Sequence, residues 1–137
     1  MNTFLKTTFL STFLLFTAVV CHAQDSQVFI QRSIEFNGGT EKEEVIIYVE
    51  EGSGVLQVHI NATINMGKLS VEIFDSKGVS KGKFSIGSQI VNSDKVSETV
   101  RGTISKTIEN PDKGEWKIKL TPENAKANVR ISITQAQ

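Results

Sequence analysis

The chain has 137 residues, in which 15 lysine and arginine residues are balanced by 15 aspartate and glutamate residues. A chain of this length predicts one domain, since domains cluster at about 100–150 residues. A formal net charge of zero argues against the broad basic surface that nucleic-acid binding needs. We therefore expect no nucleic-acid partner.

Residues 1–23 have the composition of a secretory signal peptide. A single positive charge precedes an apolar stretch over residues 9–20, and Cys21, His22 and Ala23 follow it. The stretch is shorter than the roughly 20 residues that a membrane-spanning helix needs. We expect cleavage after Ala23, a domain over residues 24–137 with no transmembrane segment, and export to the periplasm or the cell exterior.

Cys21 supports a competing interpretation, in which the signal is that of a bacterial lipoprotein and the cysteine becomes lipid-modified. The residue before that cysteine is usually Gly, Ala or Ser, whereas here it is Val20. An outer-membrane lipoprotein anchored through Cys21 is therefore the less favoured alternative. Cleavage after Ala23 leaves a mature chain without cysteine, in which no disulfide can form.

The composition of residues 24–137 predicts an all-β fold. This part of the chain has 14 Ile and 11 Val against 3 Leu, 4 Ala and 1 Met. Ile and Val pack well on a pleated surface, while Leu, Ala and Met favour helices.

The periodicity predicts the strands in chain order. Strands are expected over 28–36 and 44–50, then over 56–64 and 69–73, where apolar residues alternate with polar ones. Two or three shorter strands are expected between 84 and 108, at 84–86, 89–91 and 96–108, and two alternating strands at 115–120 and 129–134. Residues 45–49 are apolar on both faces, which favours a central strand. Residues 79–95 have few apolar side chains and are interpreted as a solvated connection or, alternatively, a binding loop.

Glycine, asparagine and aspartate separate these segments and supply the turns. Seven or eight short strands joined by such turns predict a single antiparallel β-sandwich or barrel.

The residues that could carry catalysis are few. His59 is the only histidine of residues 24–137, and its place on the polar side of a strand predicts a surface residue. A hydrolytic triad or a zinc site needs more such groups. Acidic residues at the two ends of one predicted strand are interpreted as solubilising charges, namely Glu41, Glu43, Glu44, Glu50 and Glu51. We assign no catalytic, cofactor or metal residue and expect no enzyme.

Calcium is the one metal ion for which the sequence offers candidate ligands. Asp75, Asn110 and Asp112 lie in predicted turns, and calcium takes oxygen ligands from such loops. Their spacing matches no calcium-binding motif, and these residue types favour turns for backbone reasons. No cofactor is therefore expected, and calcium remains an open alternative.

The aromatic residues give the sequence its second functional hypothesis. Trp116 alternates with Ile118 and Leu120, which predicts a place in the core, whereas Tyr48 and Phe74 are expected to be the exposed pair. Exposed aromatic rings suit carbohydrate-binding modules, in which Tyr48 and a rim of loops would contact the sugar.

Two stretches of the carboxyl-terminal half resemble jelly-roll β-sandwich modules of bacterial secreted proteins. They are residues 67–75 with Gly78, and residues 114–120 followed by the strand over 129–133. The resemblance, to modules of the pre-peptidase carboxyl-terminal and proprotein-convertase P-domain type, covers residues 55–134. It implies a jelly-roll fold and a role in folding, attachment or substrate binding.

We therefore expect an exported, non-enzymatic binding, adhesion or structural module of the bacterial envelope with an unidentified protein or glycan partner. The alternative is a carbohydrate-binding module, and a hydrolase is the least favoured hypothesis. The sequence predicts neither the ligand nor the oligomeric state.

Overall fold

The computed structural model describes residues 28–88 and 98–137. The predicted signal peptide, with Cys21 and the cleavage site after Ala23, lies outside the described residues, as does the strand predicted at 89–91. Across the two described ranges, no helix is long and apolar enough to cross a membrane.

Six antiparallel strands make up the fold. They are β1 (Val28–Asn37), β2 (Glu43–Val49), β3 (Val55–Phe74), β4 (Ser80–Gly87), β5 (Val100–Glu109) and β6 (Gly114–Ala136). β3 and β6 are 20 and 23 residues long, far beyond the usual strand length of about 5–6 residues. Each replaces two strands that the sequence predicts.

The two long strands organise the molecule, because β3 pairs along its whole length with residues 117–136 of β6. β1 and β5 flank one half of this pair, and β2 and β4 flank the other half. The first half-sheet therefore has the order β1, β6, β3, β5, with residues 55–64 of β3 and 126–136 of β6. The second half-sheet has the order β2, β6, β3, β4, with residues 68–74 and 114–120.

This arrangement of eight strand segments is that of a jelly-roll sandwich, so the predicted fold class is confirmed. The segments number eight while the continuous strands number six, because β3 and β6 each run through both halves.

In both long strands the alternation of buried and exposed residues shifts by one position, and the two shifts lie next to each other in the sheet. In β3 the buried residues are even-numbered up to Ile64 and odd-numbered from Leu69, and β6 shifts between residues 122 and 125. The pairing register shifts at Met66, where Gly67 and Asn124 both have positive φ. The bend therefore keeps apolar side chains on the inside of both halves.

One hydrophobic core fills the space between the half-sheets. It includes Leu56 and Ile131 from the first half and Leu69 and Ile118 from the second. Trp116 is fully buried, as predicted, and its Nε1 donates a hydrogen bond to the Asp112 carbonyl oxygen at 2.8 Å. A buried indole N–H needs such a partner.

A buried glutamine ties the β2–β3 loop to the end of β6. Gln135 is 4% exposed, and its Nε2 donates to the Tyr48 carbonyl oxygen at 2.7 Å. Its Oε1 accepts hydrogen bonds from the Ser53 hydroxyl at 3.2 Å and the Glu50 amide at 3.4 Å. The amide side chain thus satisfies loop groups that have little access to water.

Two sequence predictions need correction. The sequence predicts a central strand over 45–49, but β2 pairs only with β6 within the described residues, and Ile46 and Tyr48 face outward and are exposed. Apolar side chains on both faces of this strand therefore do not mean that both faces are covered. The predicted connection over 79–95 begins instead with β4, whose half-buried Phe84 and Ile86 pack against the core.

Basic side chains interrupt the inward-facing apolar pattern on both outer strands of the first half-sheet. Arg32 lies between Ile30 and Ile34 in β1, and Lys106 lies between Ile104 and Ile108 in β5; both are exposed. Inward-pointing charges on edge strands discourage pairing with another chain.

Candidate functional site

The outward side of the first half-sheet is almost entirely polar; we call it the polar face. Its four strands place four side chains in register in each of four rows. The rows are Phe29, Thr134, Gln57 and Thr107; Gln31, Ser132, His59 and Ser105; Ser33, Arg130, Asn61 and Thr103; and Glu35, Asn128, Thr63 and Arg101. Most of these side chains are neutral amides or hydroxyls, which both donate and accept hydrogen bonds.

Cross-strand hydrogen bonds hold the β3 side of this face to β5. The His59 Nδ1 atom lies 2.6 Å from the Ser105 hydroxyl, and the Thr103 hydroxyl donates to Asn61 Oδ1 at 2.7 Å. These bonds restrict the side-chain rotamers before any ligand binds, which lowers the entropy that binding would cost.

An open groove of about 320 Å³ lies at the centre of the polar face. Ser33, Asn61, Thr63, Asn128 and Arg130 line it, together with Val129. Three strands contribute polar groups, so the groove exists only once the register of β1, β3 and β6 is set.

His59 and Ser105 form a pair that the sequence did not predict, since 46 positions separate them. A serine is activated when its histidine partner is oriented by a third group. In the part of the chain that the structure describes, the only side-chain hydrogen bond of His59 is the one to Ser105. His59 is an exposed residue on a sheet face, as expected.

The outward side of the second half-sheet has a different character; we call it the charged face. One row crosses all four strands with alternating charges, from Glu44 through Lys119 and Glu72 to Lys83. Opposite charges in register stabilise neighbouring strands. Here the charges are balanced by their neighbours.

Tyr48 lies on the charged face and is 67% exposed, next to Ile46 at 48%. Its hydroxyl donates to Glu115 Oε2 at 3.4 Å. Phe74 is predicted to be its exposed partner, but the structure shows it to be half-buried. The Lys119 Nζ atom lies 5.9 Å from the centre of the Phe74 ring. Lys117 stands between Ile46 and Phe74 in the register, so Tyr48 and Phe74 form no continuous aromatic platform.

Asp75 organises the turn between β3 and β4. Its Oδ1 atom accepts hydrogen bonds from the Val79 amide at 2.8 Å and the Lys77 amide at 2.9 Å, and Oδ2 lies 3.6 Å from the Lys81 Nζ atom. The Val79 hydrogen bond, helped by Lys77 and Lys81, holds the pKa of Asp75 below its usual value against the opposing effect of desolvation. The carboxylate therefore has a structural role in the turn.

The other candidate calcium ligands also have roles in turns. Asn110 has a φ of 49°, and the Asp112 carboxylate lies 3.6 Å from the Lys77 Nζ atom. Within residues 28–88 and 98–137, no three His, Cys, Asp or Glu side chains come together as a metal site. The five glutamates from Glu41 to Glu51 are all exposed.

No family model and no curated protein matches the sequence. Among solved structures, the chain is similar to Bacillus licheniformis lipase BlEst2 in propeptide form, with a TM-score of 0.51 and 21% identity over 92% of this chain and 26% of the lipase chain. It is also similar to dimeric latent PorU from Porphyromonas gingivalis, with a TM-score of 0.50 and 13% identity over 84% of this chain and 14% of PorU.

A third similarity is to a carbohydrate-binding module of Cellvibrio mixtus lichenase 5A in complex with cellotriose. It has 12% identity over 85% of this chain and 92% of the module, but its TM-score of 0.42 is too low to support an inference. The chain spans only a small part of the lipase and of PorU, and the specific resemblance to pre-peptidase modules stays a prediction. The comparisons show a β-sandwich fold that this chain shares with parts of larger bacterial proteins.

Proposed function

We propose that this chain is an exported, non-enzymatic binding module of a bacterial envelope, and that a glycan binds on its polar face. One observation carries the proposal. Most side chains of one complete outer face are amides or hydroxyls and few are charged, while the opposite face of the same domain carries alternating charges in register.

The chemistry of the polar face favours a glycan over a protein. Sugar hydroxyls both donate and accept hydrogen bonds, as do the side chains of Asn, Gln, Ser and Thr. Protein interfaces instead have cores enriched in aromatic residues, methionine and arginine, and of these the polar face has two arginines and one aromatic residue. The polar face has one aromatic side chain, Phe29, which is 62% exposed at a corner and offers a ring against which a sugar can pack.

Export and the lack of catalysis are parts of the same proposal. Export is supported by the composition of residues 1–23. A non-enzymatic role is supported by the polar face itself, where the exposed His59 and Ser105 pair with each other without a described third group to orient the histidine.

A glycan array probed with the chain from Gln24 to Gln137 tests the proposal. We expect binding that is lost in Asn61→Ala and retained in Lys83→Gln, which changes an exposed side chain on the charged face. A urea unfolding curve for each variant shows whether it is folded. An array without any signal would make the glycan assignment wrong.

Tyr48 provides a second candidate site, because it is 67% exposed beside an exposed Ile46. If the ligand binds there, Tyr48→Ala abolishes binding and Asn61→Ala does not. The same array therefore decides between the two faces of the domain.

A further inference from the structure

We propose that the ligand of the polar face is an acidic polysaccharide, and that Arg130 binds a carboxylate of one of its sugars. The inference rests on the proposed glycan-binding function and names the class of glycan.

Arg130 is exposed on β6, an inner strand of the first half-sheet, between Ser33 and Asn61 in the register. None of the ion pairs found within residues 28–88 and 98–137 involves Arg130. Lys119 on the charged face is in none of those ion pairs either, but it has the acidic residues Glu44 and Glu72 directly opposite it on its two neighbouring strands. Arg130 has only neutral side chains directly opposite it, Ser33 and Asn61, and the nearest acidic residue in the register is Glu35, diagonal to it on β1.

The neighbours of Arg130 suit an anionic sugar. Asn61 Oδ1 is occupied by the Thr103 hydroxyl, which leaves the amide N–H groups of Asn61 to donate to a ligand. Ser33 and Asn128 line the same groove of about 320 Å³. A guanidinium group binds a planar carboxylate through two parallel hydrogen bonds, while the hydroxyl and amide groups around it remain for the sugar hydroxyls.

The other charges of the polar face indicate how a polymer would lie. Arg101 is exposed on β5, two strands from Arg130 and one row away. Strand spacing of about 4.8 Å and a rise of about 3.4 Å per residue place the two Cα atoms about 12 Å apart. Glu35, on β1, lies at the opposite end of the row of Arg101 and diagonal to Arg130. Repulsion by Glu35 directs a polyanion away from β1 and toward β5.

Polygalacturonate and the same polymer after reduction of its carboxyl groups are the probes. Isothermal titration of residues 24–137 should show binding to polygalacturonate that weakens as salt is added, and at least about tenfold weaker binding to the reduced polymer. Arg130→Gln should weaken binding to polygalacturonate at least about tenfold, and Arg130→Lys should lie between, because lysine keeps the charge but not the planar pair of donors.

Lys83→Gln is the matched control, since it removes one positive charge from the charged face. It should change the affinity less than about twofold, as expected for a distant, screened charge. Urea midpoints that match the parent chain show that the variants are folded.

The outcomes separate this inference from the proposed function. Equal affinity for both polymers, or unchanged affinity in Arg130→Gln, would overturn the acidic ligand and leave a neutral glycan-binding module. Binding to polyglycerol phosphate but not to polygalacturonate would overturn the assignment of a carboxylate as the group that Arg130 binds. Failure to bind any glycan on an array would remove both proposals.

Discussion

Replacing Gly67 with alanine tests the corner where β3 and β6 bend together. Gly67 has a φ of +78°, and an added Cβ would overlap the Asn124 carbonyl oxygen and lie 2.6 Å from that of Glu123. Both oxygens belong to the backbone, so they move only if β6 bends differently. Gly52 is the matched control, because its φ of +83° is similar and no atom lies within 4 Å of the position its Cβ would take.

The two substitutions share one cost and differ in another. A left-handed conformation costs a non-glycine residue about 1–2 kcal/mol, and the loss of glycine flexibility in the unfolded chain offsets about 0.4–1 kcal/mol of this. Gly52→Ala should therefore cost no more than about 1.5 kcal/mol. Gly67→Ala adds the strain of an overpacked site, about 1–3 kcal/mol, for a total of about 1–4.5 kcal/mol.

Urea unfolding of residues 24–137, followed by the fluorescence of Trp116, measures the free energy of unfolding of each variant. The difference between the two variants isolates the close approach of the strands at the corner. If Gly67→Ala costs no more than Gly52→Ala, the two bends do not contact each other as described and the argument for a shared corner fails.

Three further predictions follow from other parts of the fold. Hydrogen bonds lower the pKa of Asp75 below its usual value of 3.8, so the stability that its carboxylate contributes is complete well above that pH and is lost as pH falls through the lowered pKa. The difference in free energy of unfolding between the parent chain and Asp75→Asn should therefore shrink in urea titrations at acidic pH. A difference that stays constant with pH would contradict this. Gln135→Leu should lower the free energy of unfolding by about 1–3 kcal/mol because it leaves buried loop groups unpaired. Ser53→Ala should lower it less in the Gln135→Leu background than in the parent chain, which a double-mutant cycle measures. Arg32→Val removes the inward charge from an edge strand and should promote self-association in light scattering, whereas Arg32→Lys should stay as monodisperse as the parent chain.

The local pattern predicts most of the strand segments and, within the regular alternations, the faces they present. The alternation over 56–64 and over 129–134 identified which side chains enter the core, and Trp116 was correctly placed there. The pattern could not show that β3 and β6 continue through their bends, because the change of inward positions near Gly67 looks like the end of a strand. It also could not place β2 at an edge, since pairing partners are set by contacts distant in sequence.

The sequence shows which polar residues the candidate site contains but not that they lie next to each other. The outward positions near residues 57–63 and 128–132 could be read as Gln, His, Asn, Thr, Ser and Arg, a combination poor in the Lys and Glu that usually solvate a sheet. That Ser33, Asn61 and Arg130 meet in one groove depends on the pairing of β1 and β3 with β6. No local pattern encodes that pairing register.

The two faces of this domain serve as an internal comparison for the functional argument. A face on which neighbouring strands carry opposite charges is sufficient to keep a sheet soluble, and the second half-sheet has such a face. The first half-sheet instead carries hydroxyls and amides, whose hydrogen-bonding groups are fixed by pairs such as Asn61 and Thr103. Fixing such side chains costs conformational entropy, and a ligand that needs the same geometry benefits from that order. The difference between the faces therefore favours a binding function for the first. Arg130 has neutral residues directly opposite it on both neighbouring strands and is in none of the ion pairs of the described residues, so it is the residue at which that function should be tested.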